Sequence, residues 1–139
     1  MTSHPLSDNA ASGVADMDRE HALELQIVRE LQAALRASDG AIATELVARL
    51  EDFTNAHFLA EQLLMRLHAY PGYAAHQAEH DRLIAELREL AARVAQGLTG
   101  DPAEEVERLE RWLLAHMASE DHVLAEYLKA PAAVPPAAR

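Results

Sequence analysis

Five histidines and two carboxylates of this 139-residue chain are spaced so that a bundle of helices would bring them together. The seven residues are His21, His57, Glu61, His76, His80, His116 and Asp121. Imidazole and carboxylate groups are common ligands for iron, zinc and manganese. Seven of them can hold two metal ions and leave one coordination position open. We therefore predict a two-metal site that binds a small molecule at the open position.

The composition restricts the class of protein further. The chain is 50% hydrophobic and long enough for one compact domain with a core. Its formal net charge of -11 argues against nucleic acid or an anionic membrane surface as a partner, since both select for lysine and arginine. The chain has no cysteine, which excludes thiolate metal sites and iron–sulfur clusters. Because we find neither a signal-peptide pattern nor a membrane-spanning run, we expect a cytoplasmic protein.

Apolar residues recur at helical spacing in four segments, and they predict helices over about residues 16–37, 41–69, 73–96 and 101–129. Turn-forming residues that include proline or glycine separate these segments. Short connections make neighbouring helices antiparallel, so the predicted fold is all-α, an up-down-up-down antiparallel four-helix bundle. Residues 1–15 and the Ala/Pro-rich residues 130–139 are expected to be flexible.

Counting from the turns places the candidate ligands at one level of this bundle. His21 lies eighteen residues before Asp39 and His57 lies eighteen after it, so both lie roughly 27 Å from that turn at about 1.5 Å per residue. Residues four apart share a helical face, as His57 and Glu61 do. A bundle core that held so many unpaired polar groups would be costly to desolvate, and metal ions would relieve that cost.

The last pair of candidate ligands has an irregular spacing. His116 and Asp121 are five residues apart, which is about 140° around a regular helix, whereas His116 and Glu120 would share one face. A π-helical turn would instead bring Asp121 onto the face of His116, and such turns are frequent at functional sites. Spacing alone does not decide between Glu120 and Asp121.

Taken in order along residues 14–128, the motifs resemble those of the hemerythrin family of non-heme di-iron oxygen-binding proteins. The resemblance is carried by an H…HxxxE…HxxxH…HxxxxD series, which begins at His21 and ends at Asp121. It implies that three histidines hold one iron and two hold the other, whose sixth position is free. The first set is His76, His80 and His116, and the second is His21 and His57.

The resemblance also implies that Glu61 and Asp121 bridge the two irons together with an oxo or hydroxo group. This implication favours Asp121 over Glu120. Dioxygen is then the expected ligand, bound reversibly at the five-coordinate iron. An apolar pocket would surround it, and its implied lining is Phe58, Trp112, Leu113 and Met117. All four residues are equally compatible with ordinary core packing.

Glu24 departs from the family pattern, because many relatives carry an apolar residue there, one turn from His21. A carboxylate that faced the iron would favour peroxide turnover by a redox enzyme, or an oxygen or redox sensor, over reversible binding. The alternative is that Glu24 points to solvent beside Arg19 or Arg29. Nitric oxide and peroxide remain alternative ligands, zinc or manganese could use the same side chains, and we expect a monomer or a weak homo-oligomer.

Overall fold

The structure is a computed structural model, and it describes residues 15–97 and 102–130. The helical segments are α1 (Ala15–Arg36), α2 (Gly40–Leu67), α3 (Tyr73–Gln96), α4 (Pro102–His116), a π-helical turn (Met117–Asp121) and α5 (His122–Lys129). The last three run on without a break and form the fourth arm of an antiparallel four-helix bundle. The described part of the chain contains no strand. The predicted fold class is therefore confirmed.

Local sequence accounts for the ends of the helices. Asp39 caps α2 by accepting a hydrogen bond from the Ile42 backbone N–H at 3.1 Å. Gly97 follows α3 with a φ of 63°, a left-handed conformation that glycine adopts without strain. The predicted cap of the fourth helix, Asp101, lies outside the described residues. So do the predicted flexible ends, apart from Ala15 and Ala130.

The apolar faces of the helices meet in two clusters. The larger cluster contains buried side chains from all four arms, among them Leu31, Leu50 and Leu87. The smaller one consists of Met17, Met65, Leu124 and Ala125, with partly buried aromatic residues against it. Along each arm the candidate ligands lie between the two clusters. Residues of the larger cluster are on one side of them, and residues or helix ends next to the smaller cluster are on the other. Apolar packing therefore encloses the polar layer from both ends of the bundle.

Surface ion pairs also link the arms, as in Arg29 with Glu110 at 3.2 Å and Arg88 with Glu51 at 3.1 Å. Exposed pairs of this kind add little stability, so apolar burial is the main force that holds the helices together. Among the described helices, none has the length and apolar character needed to cross a membrane.

Candidate metal centre

The structure brings all seven predicted ligands together in the interior, where each side chain is at most 4% exposed. They form two groups, and within each group the potential ligand atoms lie within 4.8 Å of one another. The three-histidine group is Glu61, His76, His80, His116 and Asp121. The two-histidine group is His21, His57, Glu61 and Asp121. Both carboxylates therefore belong to both groups.

Each shared carboxylate turns one oxygen toward each group. Glu61 Oε1 lies 3.2 Å from His76 Nε2 and 3.1 Å from His80 Nε2, and Oε2 lies 3.1 Å from His57 Nε2. Asp121 Oδ1 lies 3.0 Å from His76 Nε2, while Oδ2 lies 2.9 Å from His21 Nε2. This is the arrangement that two carboxylates need to bridge a pair of metal ions.

The π-helical turn explains how Asp121 reaches this layer. His116 ends α4, and the five residues from Met117 to Asp121 then form the wider π turn. As a result Asp121 Oδ1 lies 3.1 Å from His116 Nε2, and Asp121 is buried, whereas Glu120 is only partly buried. The choice that spacing left open is thus made by the tertiary structure.

Unpaired buried atoms test whether this set of side chains fits metal ions. The atoms without a hydrogen-bond partner include Nε2 of His21, His57, His80 and His116, together with Glu61 Oε2 and Asp121 Oδ1. They approach one another closely but are not oriented for hydrogen bonds. Leaving one such atom unpaired costs about 1–3 kcal/mol. Two cations bound among these atoms would satisfy all of them, so the site fits two metal ions.

Outer hydrogen bonds orient the histidine rings. His57 Nδ1 donates to the Glu20 carboxylate, and His116 Nδ1 donates to Glu79 Oε1 at 3.0 Å. A proton held on Nδ1 leaves the Nε2 lone pair free for a metal. Neither role was predicted from the sequence. The available signal was that Glu20 and Glu79 each directly precede a candidate ligand in the chain.

The ionisable groups of the layer shift one another strongly. Burial disfavours imidazolium, but the close carboxylates of Asp121 and Glu61 outweigh it and raise the pKa of His21 to about 9. The same balance raises the pKa of His76 to about 9 and, with Glu61 as its main partner, that of His57 to about 10. The histidines in turn hold the pKa of Asp121 far below its usual range, against the effect of burial. Protons therefore compete with metal ions for these nitrogens.

The predicted pocket residues contact the ligand layer or lie buried beside it. The Phe58 ring stacks on His80 with 3.6 Å between the ring centroids, and Trp112 stacks on His116 at 4.8 Å. Leu113 and Met117 are buried in the larger apolar cluster. Phe53 was not among the predicted pocket residues, and its ring stacks on His57 with 6.5 Å between the ring centroids.

The structure corrects the interpretation of where Glu24 lies. Its side chain is 1% exposed, so the interpretation that it faces solvent beside Arg19 or Arg29 is wrong. Glu24 Oε2 accepts a hydrogen bond from the Thr54 hydroxyl at 2.6 Å, and burial raises the pKa of the carboxyl. Neither ligand group includes Glu24. Thr54 was not predicted, although it precedes His57 by one helical turn.

Comparisons with known proteins agree with this geometry. The family model described as the hemerythrin HHE cation binding domain matches residues 12–128. A bacteriohemerythrin of Stenotrophomonas maltophilia is 29% identical over 124 residues, which cover 88% of this chain and 80% of the relative. One from Aquifex aeolicus is 29% identical over 116 residues, covering 81% and 87%.

Among solved structures, a crystal structure of wild-type hemerythrin shares the fold with a TM-score of 0.79. It is 23% identical and the match covers 94% of this chain and 97% of the other. The residues matched by the family model contain all seven clustered side chains. The chain therefore belongs to the hemerythrin HHE cation-binding domain family.

Proposed function

We propose that this protein holds two iron ions and binds dioxygen reversibly as a carrier, store or scavenger. The observation that carries the proposal is the unequal pair of ligand groups, which share two carboxylates but offer three histidines on one side and two on the other. A metal with three histidines has a full set of protein ligands. The metal with two has one fewer, and a small molecule can bind there.

The proposed role of each side chain follows from its group. His76, His80 and His116 hold one iron, and His21 and His57 hold the other. Glu61 and Asp121, which belong to both groups, would be shared by the two irons, together with an oxo or hydroxo group from solvent. Ferrous iron held by these side chains would supply the electrons that dioxygen binding requires, and the protein would position the two ions and hold the pair together.

Water exclusion is the second contribution of the chain. Phe58, Leu113 and Met117 are buried beside the layer, and partly buried Trp112 covers His116. A dry surrounding limits the supply of protons that would release reduced oxygen, and this favours reversible binding. Relatives named bacteriohemerythrin support the same proposal. We further propose a cytoplasmic monomer or weak homo-oligomer.

Buried Glu24 favours a second candidate function. A carboxyl group close to the two-histidine group can exchange protons with a bound ligand, which suits a di-iron redox protein that reduces hydrogen peroxide. An oxygen or redox sensor, or a protein that binds nitric oxide, would use the same site.

The test is to load the protein with ferrous iron without air, count the iron per chain, and record visible absorption in air and then under argon. We expect two irons per chain and an absorption band that appears in air and fades under argon. His116→Ala should lower the iron count, whereas the control His122→Ala should not, because His122 belongs to neither ligand group. Irreversible conversion in air would reject the carrier and favour the redox protein.

A further inference from the structure

The two helical hairpins of the bundle repeat each other at an offset of 59 residues. In the first hairpin, Glu20 accepts a hydrogen bond from Nδ1 of His57. In the second, Glu79 accepts one from Nδ1 of His116. Each glutamate precedes a ligand histidine, and each partner lies 37 residues further along the chain. Corresponding residues of the two hairpins thus make corresponding contacts.

Aromatic packing follows the same offset. Phe53 stacks on His57 with an interplanar angle of 17°, and its counterpart Trp112 stacks on His116 at 9°. Apolar layers repeat as well, since Val47 and its counterpart Val106 are both fully buried. For these pairs the offset identifies the residue that fills the equivalent place near the other metal group. It does not relate the shared carboxylates, because the counterpart of Glu61 is Glu120, which belongs to neither ligand group.

In a layer next to the histidines, equivalent positions carry different chemistry. Glu24 and Thr54 form their buried hydrogen bond in the first hairpin, and the residues 59 positions later are Leu83 and Leu113. All four side chains are at most 2% exposed. The second hairpin therefore has two leucines in the layer where the first hairpin has a carboxyl and a hydroxyl. Two apolar side chains can therefore fill an equivalent layer of this bundle.

The polar pair lies beside the metal group that has fewer ligands. Glu24 follows His21 by three residues and Thr54 precedes His57 by three, so the pair lies about one helical turn from both histidines of the two-histidine group. The Glu24 carboxyl interacts electrostatically with both of them. It is nevertheless outside the ligand group, and Thr54 holds its Oε2. This position is suited to contact with a molecule bound at the metal.

We propose that the Glu24–Thr54 pair selects the ligand of the two-histidine metal. Cations in the metal groups would favour the ionised form of the Glu24 carboxyl, against the effect of burial. The Thr54 hydroxyl donates to Oε2, so the ionised group presents only hydrogen-bond acceptors. Such a group favours small ligands that donate a hydrogen bond, such as water or hydrogen peroxide, and disfavours small anions. This inference rests on the proposed function in one respect, the open position at that metal.

Sodium azide is a suitable anionic probe, and its binding to the oxidised iron-loaded protein can be followed by visible absorption. We expect Glu24→Gln and Glu24→Leu to bind azide about 10- to 100-fold more tightly, the range typical of one buried charged contact. Thr54→Val should change azide affinity in the same direction, because the carboxyl loses its anchor. Thr54→Ser keeps the hydroxyl and should match the parent.

Gln32→Leu is the matched control for removal of a buried polar side chain from α1. Gln32 is 7% exposed and donates to Glu110 at 3.0 Å, away from both metal groups, so azide affinity should not change. Unchanged or weaker azide binding by both Glu24 variants would overturn the proposal. Failure of reversible dioxygen binding would not, since azide binding needs only the iron and its open position.

Thermal unfolding of the metal-free protein provides a measurement that does not depend on iron. The double variant Glu24→Leu, Thr54→Val reproduces the apolar layer of the second hairpin, and we expect its melting temperature to rise by about 3–6 °C. A lower melting temperature would assign the pair to packing and overturn the proposal. A parent that retained no iron would overturn the proposed function, whereas a parent that retained iron, with Glu24 variants that bound azide no more tightly, would overturn this inference alone.

Discussion

The pH dependence of stability should have opposite signs in the metal-free and the iron-loaded protein. In the metal-free protein, the shared carboxylates raise the pKa of His21 and His76 to about 9 and that of His57 to about 10, from 6.5. A raised pKa means that the folded state holds protons more tightly than the unfolded state. The resulting stabilisation is complete below about pH 6.5 and is lost as the pH rises through about 9 to 10.

The magnitude follows from these shifts. One pKa unit corresponds to about 1.4 kcal/mol, so a rise of roughly 2.5 units corresponds to about 3 kcal/mol. The three histidines share two carboxylates, so their contributions overlap. We expect the free energy of unfolding to fall by about 3–5 kcal/mol in total between pH 6.5 and 10. In the iron-loaded protein neutral imidazole binds the metal, so stability should instead rise as the pH increases from about 5 to 8.

Urea unfolding of the metal-free protein at half-unit pH intervals, followed by circular dichroism, measures the first trend, and iron competition with a chelator measures the second. Glu61→Gln removes one shared charge and should flatten the metal-free profile. The control Glu86→Gln changes an exposed carboxylate and should leave that profile unchanged. A metal-free protein whose stability is constant between pH 6.5 and 9.5 would refute the reasoning, because its buried histidines would then be neutral.

Three other predictions concern single features of the structure. Glu20→Ala and Glu79→Ala should each weaken iron binding about 10- to 100-fold, because a histidine ring loses its orienting hydrogen bond; unchanged affinity in chelator competition would contradict this. Deletion of Ser119 should convert the π turn into regular helix, and the variant should retain two irons per chain, whereas Asp121→Ala should lose iron. Loss of iron in both variants would show that the turn itself is required. Gly97→Ala should destabilise the protein by about 1 kcal/mol in urea unfolding, because the φ of 63° at this position strains any residue with a side chain. A stability equal to or higher than that of the parent would disagree with that conformation.

The fold and most of the ligand set were predictable because they depend on local geometry. Helical periodicity and turn residues define the arms, and a constant rise per residue sets the level of each histidine. The pair His57 and Glu61 shares a face in any regular helix, wherever that helix packs. These features hold for each segment by itself, so they could be obtained without knowledge of its neighbours.

The remaining features depend on how the arms pack against one another. The choice of Asp121 over Glu120 required the π turn, and Glu20 meets His57 only across two helices. The direction in which the Glu24 side chain points depends on the rotation of α1 in the bundle. It also depends on the hydroxyl of Thr54, which lies 30 residues further along the chain. The sequence by itself therefore determined the helices and which residues could bind metal. Only the tertiary structure decided which polar groups are buried together, because side-chain burial and long-range hydrogen bonds form when separate helices meet.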